Sequence, residues 1–326
     1  MYDYNILITN VGRRGYLVKF LKETKNFTGK VYVSDCDDTA SGLYGYADDY
    51  FLLPRPVLDP DKYVELLLAE CRKRNISIII PVIDPEIDIL SKYRDNFIMN
   101  GIFVAVSSKN VLQICYDKSK MNDFLVKKGF NIPQTYYSVE EFKKEYVAKK
   151  VVFPVIIKPI LGSGSVSTYK VNTLGEMEIF FTKGMMIQEY IDGQEYGIDT
   201  LNDLDGKPVR CVVKKKVSMR AGETDKALIV KDSFIQNTVL KLSEELGHIC
   251  NLDCDVLYKD DKVYVIDLNP RFGGGYPATH MSNVNYLELI IKMVSGEKIQ
   301  PDFSSYDSDI LVMKEIQLVV KRIINS

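Results

Sequence analysis

Val263-Tyr264-Val265-Ile266-Asp267-Leu268-Asn269-Pro270-Arg271, running on into Phe272-Gly273-Gly274-Gly275, is the stretch whose reading decides the fold. It reads as a short apolar strand that delivers a carboxylate and a carboxamide two residues apart. Successive side chains of a strand point to opposite faces, so Asp267 and Asn269 share one face. Two hard oxygen donors on one face, with an arginine just beyond, suit Mg²⁺ bound to a polyphosphate. Taken alone, the segment is equally an edge strand with a polar face that runs into a glycine turn. The rest of the chain has to decide.

At 326 residues the chain is long enough for two or three packed units. Hydrophobic residues at 46% and charged residues at 26% are ordinary globular values, so neither disorder nor a fibre is indicated. A formal charge of −2 gives no basic footprint for nucleic acid, and no polybasic run points to a membrane surface. No stretch approaches the roughly 20 apolar residues of a membrane span. The amino terminus, MYDYNILITN, enters an apolar strand with no basic leader or cleavage site, so the expectation is a soluble cytoplasmic chain.

Cys36, Cys71, Cys115, Cys211, Cys250 and Cys254 are scattered, which argues for reduced thiols. His248, Cys250 and Cys254 lie close together, but a zinc site wants a fourth ligand and the other histidine is His280. Two histidines in all also supply Ser-His-Asp or Cys-His chemistry poorly.

Tyr4 to Thr9 reads as a strand, followed by a glycine turn (Gly12, Gly15) and a helix from about Tyr16 to Glu23. A strand from Lys30 to Ser34 ends at Asp35, Asp61 to Lys73 has helical periodicity, and Ile76 to Pro81 is a continuous apolar run typical of a buried parallel strand. Alternating strands and helices predict a right-handed parallel α/β unit over residues 1–115. The turn Asn10-Val11-Gly12-Arg13-Arg14-Gly15 has the wrong spacing for GxGxxG, which leaves a nicotinamide site weakly supported.

From Asp117 the grammar changes. A helix from Lys118 to Lys128 is followed by a second helix around Val139 to Lys149 and a buried strand, Val151 to Pro159, that ends on Lys158. Leu161-Gly162-Ser163-Gly164-Ser165 then leads to a strand, Thr168 to Val171. Strand, glycine loop, strand is a hairpin and not a P-loop, and no GxxxxGK[ST] occurs. Such a hairpin can still fold backbone N–H groups over phosphates. Strands follow at Met185 to Ile191, Glu195 to Asp199, Val209 to Val217 and Ala227 to Val230. The helix Ser233 to Leu246 carries Phe234, Val239, Leu242 and Leu246 toward a core. Cys254 to Tyr258 pairs with the opening strand through Lys259-Asp260-Asp261-Lys262. Tyr286 to Val294 reads as a helix, and tail segments Ile310 to Met313 and Ile316 to Val320 read as strands.

A lysine opening a helix, a lysine ending a strand, a Gly/Ser hairpin, a hinge strand and an acidic strand pair, in that order, resemble the ATP-grasp superfamily of ATP-dependent ligases. The resemblance covers roughly Lys118 to Glu288, and a preceding Rossmann-like domain is the family's usual companion. The phrases Ile80-Pro81-Val82-Ile83-Asp84-Pro85-Glu86, Met219 to Lys226 and Arg271 to Pro277 are similar to stand-alone relatives of one carbamoyl-phosphate synthase half, the neighbourhood of the pyrrolysine-pathway lysine ligases. The resemblance implies a Rossmann-like domain over 1–115, an ATP-grasp small subdomain over 116–185 and a carboxy-terminal subdomain over 186–326.

It also implies roles. Lys118 and Lys158 would reach the ATP phosphates, Gly162, Ser163, Gly164 and Ser165 would form a lid, and Gln188, Glu189, Tyr190 and Ile191 would form the adenine hinge. Glu195 would bind the ribose hydroxyls. Asp255, Asp267 and Asn269 would hold Mg²⁺, or Mn²⁺ in its place, and Arg271 would stabilise the transferring phosphoryl group, with Asp253 orienting it. The family commonly has Glu at the positions of Gln188 and Asp267; the shorter Asp267 arm leaves the metal geometry open. Arg220, Glu223 and Lys226, in a polar stretch without apolar periodicity, are candidates for the acceptor pocket, whose start Gly273 and Gly274 would form. His280 is an outside candidate.

The implied reaction is phosphorylation of a small carboxylate, an amino acid above all, to an acyl phosphate that an amine attacks. The alternatives are a bicarbonate- or carbamate-phosphorylating relative of carbamoyl-phosphate synthase, and a nucleotide-binding regulatory protein without catalysis. Expected partners are small molecules, not nucleic acid or membrane, and a homodimer is the prior for a soluble enzyme.

Overall fold

The computed structural model describes residues 1–162 and 167–321, and their strands form three sheets. The first contains β1 (Asn5–Thr9), β2 (Val31–Asp35), β3 (Asp49–Leu52), β4 (Ile76–Pro81) and β5 (Phe103–Val104), all parallel, in the order β3-β2-β1-β4-β5. Alternation along β1 explains its two packed faces. Ile6 and Ile8 face the helix Gly15–Lys22 through Leu17 and Leu21, whereas Leu7 joins Tyr63 and Leu67 of the helix Pro60–Arg74. That second helix is well punctuated: Asp59 accepts the Lys62 N–H, Pro60 opens it, and Asn75 closes it in the left-handed region. The edge strand β3 was not legible, since Asp49, Tyr50 and Leu52 are exposed and only Phe51 is buried.

The strand order reverses between β1 and β4, and in such sheets the crevice beyond that switch is the natural ligand site. Here Asp35, at the end of β2, accepts the Gly12 N–H at 2.8 Å and the Asp37 N–H at 3.0 Å. The carboxylate that would grip a ribose in a dinucleotide fold is thus spent on fixing the loop.

The second sheet contains β6 (Thr135–Tyr136), β7 (Val155–Pro159), β8 (Tyr169–Val171) and β9 (Met185–Glu189) in the order β6-β9-β7-β8. β9 pairs antiparallel with β7 through Ile156 opposite Gln188 and Lys158 opposite Met186, so this sheet runs past a division at residue 185.

The third contains β10 (Gln194–Asn202), β11 (Pro208–Arg220), β12 (Glu223–Val230), β13 (Cys250–Lys259), β14 (Lys262–Asn269) and β15 (Leu311–Met313), in the order β14-β13-β10-β11-β12-β15. The helix Ser233–Leu246, capped by Asp232 and ended by Gly247 at φ +66°, packs Ile235, Val239, Leu242 and Leu246 against Ile198, Val213 and Leu252. Phe234, expected in that core, is instead exposed; it sits one position off the buried stripe that Ile235 occupies. β15 adds to the edge of β12, but residues 316–320 form no strand and leave Ile316, Leu318 and Val320 exposed.

The cysteines are free, and among the described residues no group of three His, Cys, Asp or Glu side chains could hold a metal ion. His248 is fully buried and contacts Ser243 Oγ at 2.8 Å and Thr200 Oγ1 at 3.2 Å. His280 stacks on Phe20 with ring centroids 3.7 Å apart. Among the described residues no helix is long and apolar enough to cross a membrane.

Candidate active site

The β13–β14 hairpin turns through Asp260 and Asp261, both left-handed, as a two-residue hairpin of this twist requires. Its register sets Asp255 opposite Asp267 and Asp253 opposite Asn269, so four polar side chains share the face that the sequence assigned to two of them. Asn269 Nδ2 donates to Asp267 Oδ2 at 3.3 Å.

Two lysines converge on this floor from the small-sheet side. Lys118 opens the helix Lys118–Lys127, where Asp117 caps the first turn by accepting from Ser119 and Lys120. Its buried Nζ lies 3.3 Å from Asp267 Oδ1 and donates to the Gly162 carbonyl. Lys158 Nζ donates to the Ile266 carbonyl at 3.4 Å. Burial pushes the Lys158 pKa down to about 8, against the opposing pull of Asp267.

These lysines, Gln188 to Ile191, Glu195, Asp255 and Asp267 line a cleft of about 500 Å³, within the usual size of a small-ligand site. Ile156, Leu257 and Ile266 give it apolar walls. Gln188 is buried, and its Nε2 donates to Thr135 Oγ1 at 3.0 Å, so the amide is tied into the small sheet. Gly162 stands on the rim at φ +103°, while Ser163, Gly164 and Ser165 lie outside the described residues.

A second cleft, of about 360 Å³, opens on the other side of the same carboxylates. Glu195, Asp255 and Asp267 line both clefts. The second is walled by the switch-point crevice of the first sheet, through Arg14 and Val82 to Pro85, and by Glu223, Asp253, Arg271 and Gly274. Arg271 reaches both oxygens of Asp84, at 3.2 and 3.4 Å, and Asp253 Oδ2 at 3.5 Å. Burial disfavours the Arg271 charge, but the two carboxylates override it and hold the guanidinium protonated. Glu223 lies 3.1 Å from Lys314 Nζ and 3.6 Å from Arg14 Nη2; burial opposes its charge, and these cations win and lower its pKa.

Gly273 and Gly274 leave room for these acids: a Cβ at 273 would stand 2.0 Å from Asp253 Oδ2, and one at 274 would stand 2.7 Å from Glu223 Cδ. Arg220 and Lys226 do not line the cleft. The polar stretch that carries them is the β11–β12 hairpin; on it Arg220 is exposed and pairs with Asp225 at 3.4 Å, and Lys226 is exposed.

Three charged lining residues escaped the sequence reading. Arg14 precedes the helix Gly15–Lys22 and Asp84 opens the helix Asp84–Lys92, both beyond strand ends of the first sheet, and nothing local connects them to Arg271 or Glu223. Lys216 was hidden because Lys214, Lys215 and Lys216 form an unbroken charged run, whose local reading is a solvated face. Lys216 Nζ lies 2.7 Å from both Glu195 Oε1 and Asp255 Oδ1. Lys214, beside it, is buried with Asp199 and Thr279.

Residues 6–105 match the model of the PylC-like N-terminal domain, and residues 115–275 match that of the ATP-grasp domain. The chain thus carries an ATP-grasp domain with a PylC-like N-terminal domain ahead of it. The carbamoyl phosphate synthase large chain of Thermoanaerobacter sp. (strain X514) is 23% identical over 223 residues, 63% of this chain and 21% of that one. The match thus spans about a fifth of that relative's length. Among solved structures, the biotin carboxylase domain dimer of Hydrogenobacter thermophilus 2-oxoglutarate carboxylase, in complex with MgADP, ADP and bicarbonate, superposes with a TM-score of 0.74. It is 16% identical, with 95% of this chain and 74% of that one covered. The L-amino acid ligase from Bacillus licheniformis gives a TM-score of 0.69 at 16% identity, covering 92% of this chain and 79% of that one. At such identities the likeness is one of fold.

Proposed function

We propose that this protein is an ATP-dependent carboxylate–amine ligase that activates a small carboxylate, an amino acid above all, as its acyl phosphate. The observation that carries the reading is the pair of clefts that meet at Glu195, Asp255 and Asp267. A nucleotide in the larger cleft and a carboxylate in the smaller would face each other across the same acids.

The donor set fits Mg²⁺, because Asp255 and Asp267 oppose each other and Asn269 adds a carboxamide oxygen, all hard ligands. Bound there, Mg²⁺ would neutralise phosphate oxygens. Lys118 and Lys158 offset phosphate charge that would otherwise repel an attacking carboxylate. The backbone of Gln188 to Ile191 and the apolar walls hold the adenine, and Glu195 accepts from the ribose. Arg271, fixed by Asp84 and Asp253, faces the transferring phosphoryl group.

A carboxylate oxygen attacks the γ-phosphorus and ADP leaves; the amine then attacks the acyl carbon, and phosphate departs with that oxygen. Positioning and electrostatics do most of this work. The test is ADP release with Mg²⁺ across a panel of amino acids, dipeptides and hydroxy acids, followed by mass spectrometry of the product. Stimulation by bicarbonate alone would favour the carbamoyl-phosphate-type reaction. ATP binding without ADP release across the panel would favour a nucleotide-binding protein.

A further inference from the structure

We infer that Lys216 is the cation that nucleotide loading releases into the acceptor cleft, so that acceptor binding depends on nucleotide; the inference rests on the ligase reading above. Lys216 projects from β11, its side chain 6% exposed, with Nζ 2.7 Å from Glu195 Oε1 and 2.7 Å from Asp255 Oδ1. Gly197, on the neighbouring strand, makes the pairing feasible: a Cβ there would stand 3.2 Å from Lys216 Cε and 3.4 Å from Asp255 Oδ1. Glu195 and Asp255 line both clefts, whereas Lys216 lines the smaller one and is not among the residues lining the larger.

The other cations of the acceptor cleft are committed differently. Arg271 is held by Asp84 and Asp253, and Arg14 by the Val82 carbonyl and Glu223. None of those partners has a proposed role toward nucleotide. Both Lys216 partners have one: Asp255 toward the metal and Glu195 toward the ribose. A carboxylate that turns to a divalent cation or to a hydroxyl pair gives up much of its hold on the lysine. A buried ammonium without a counter-ion is strongly disfavoured, so Lys216 then seeks an anion. Asp253, in the same cleft, also attracts it but is already held by Arg271, so the unpaired anions offered to it are the acceptor carboxylate and the terminal phosphoryl oxygens at the junction. Nucleotide loading therefore turns a charge-balanced cleft into one that attracts a carboxylate, and by linkage the acceptor tightens nucleotide binding in return.

Amine footprinting of the full-length chain tests this. Acetylation of each lysine is measured by mass spectrometry with and without Mg²⁺ and a non-hydrolysable ATP analogue, whose binding is measured separately by calorimetry. Loading is expected to protect Lys118 and Lys158 and to raise labelling of Lys216 roughly fivefold, the low end of ordinary coupling factors. Protection of Lys118 and Lys158 with Lys216 labelling unchanged or reduced would overturn the inference while leaving the ligase reading intact. Failure of the analogue to bind would overturn both. A second arm uses Lys216→Met and Lys216→Arg. Since Lys216 competes for Asp255 and Glu195, Lys216→Met is expected to bind the Mg²⁺–analogue as tightly as the parent or more so. A tenfold or greater loss, restored by Lys216→Arg, would make Lys216 a nucleotide ligand and contradict the release.

Discussion

Asp255 and Asp267 stand directly opposite each other on adjacent antiparallel strands, and each is balanced by a lysine from elsewhere in the chain: Lys216 for Asp255 and Lys118 for Asp267. Burial raises the Asp255 pKa to about 7, against the opposing pull of Lys216. Asp267→Ala removes one oxygen donor and leaves the buried Lys118 without its acid. Turnover is expected to fall by a factor of about 10² or more, as for loss of a transition-state electrostatic contact. Magnesium-dependent ADP release, with circular dichroism to confirm the fold, checks this; near-normal turnover would remove the metal role from Asp267.

Lys158 carries a pH signature. Its pKa is lowered to about 8 by burial, so the ammonium that would meet the phosphates is lost as pH rises through about 8. Affinity for Mg²⁺–ATP analogue should therefore fall above that pH, with proton uptake on binding that rises toward one as pH climbs past 8. Lys158→Arg keeps its charge to roughly pH 12 and should flatten the profile. Calorimetry in buffers of differing ionisation enthalpy reads the proton directly.

His248 predicts acid sensitivity of the fold. Burial lowers its pKa from 6.5 to about 3, so between those values the unfolded chain binds a proton that the native state refuses. Stability contributed by neutral His248 is present above about pH 6.5 and is lost progressively as pH falls toward 3. His248→Gln, which keeps polar atoms near Ser243 and Thr200, should reduce the slope of unfolding free energy against pH by up to about 1.4 kcal/mol per pH unit. Urea titrations at pH 7 and pH 5 supply the comparison.

Gly273→Ala should damage both site and fold. Its Cβ would fall 2.0 Å from Asp253 Oδ2, so Asp253 must leave Arg271 or the backbone must move. A loss of about 1–3 kcal/mol in stability is expected, with turnover reduced alongside. Gly175→Ala is the control, because it lies within the helix Leu174–Phe180 with nothing within 4 Å of the added methyl. It should stabilise by about 0.5–1 kcal/mol, measured by the same urea unfolding.

The architecture was legible because its strands are short apolar runs between turn residues, and the Asp267–Asn269 spacing announces a shared face. Pairing Cys254 to Tyr258 with Val263 to Asn269 placed Asp255 on the neighbouring strand, but the shift in register between Asp255 and Val256 that brings it opposite Asp267 has no local signal. What escaped was long-range. Asp84 meets Arg271 across 187 positions, and no local pattern signals such a pair. Arg220 and Lys226 were assigned to the pocket because polarity marks both loops and the outward faces of hairpins, and chemistry alone does not separate the two. The strand β3 and the burial of Lys118 were set by tertiary neighbours that local propensity does not contain.

Oxygen tracing tests the central claim most directly. Candidate acceptors labelled with ¹⁸O in the carboxylate are incubated with the protein, Mg²⁺, ATP and an amine, and the released phosphate is weighed by mass spectrometry. The account predicts ADP formation with one ¹⁸O carried into phosphate for each amide formed. ADP formation with unlabelled phosphate, or binding of ATP with no ADP from any carboxylate, would contradict it.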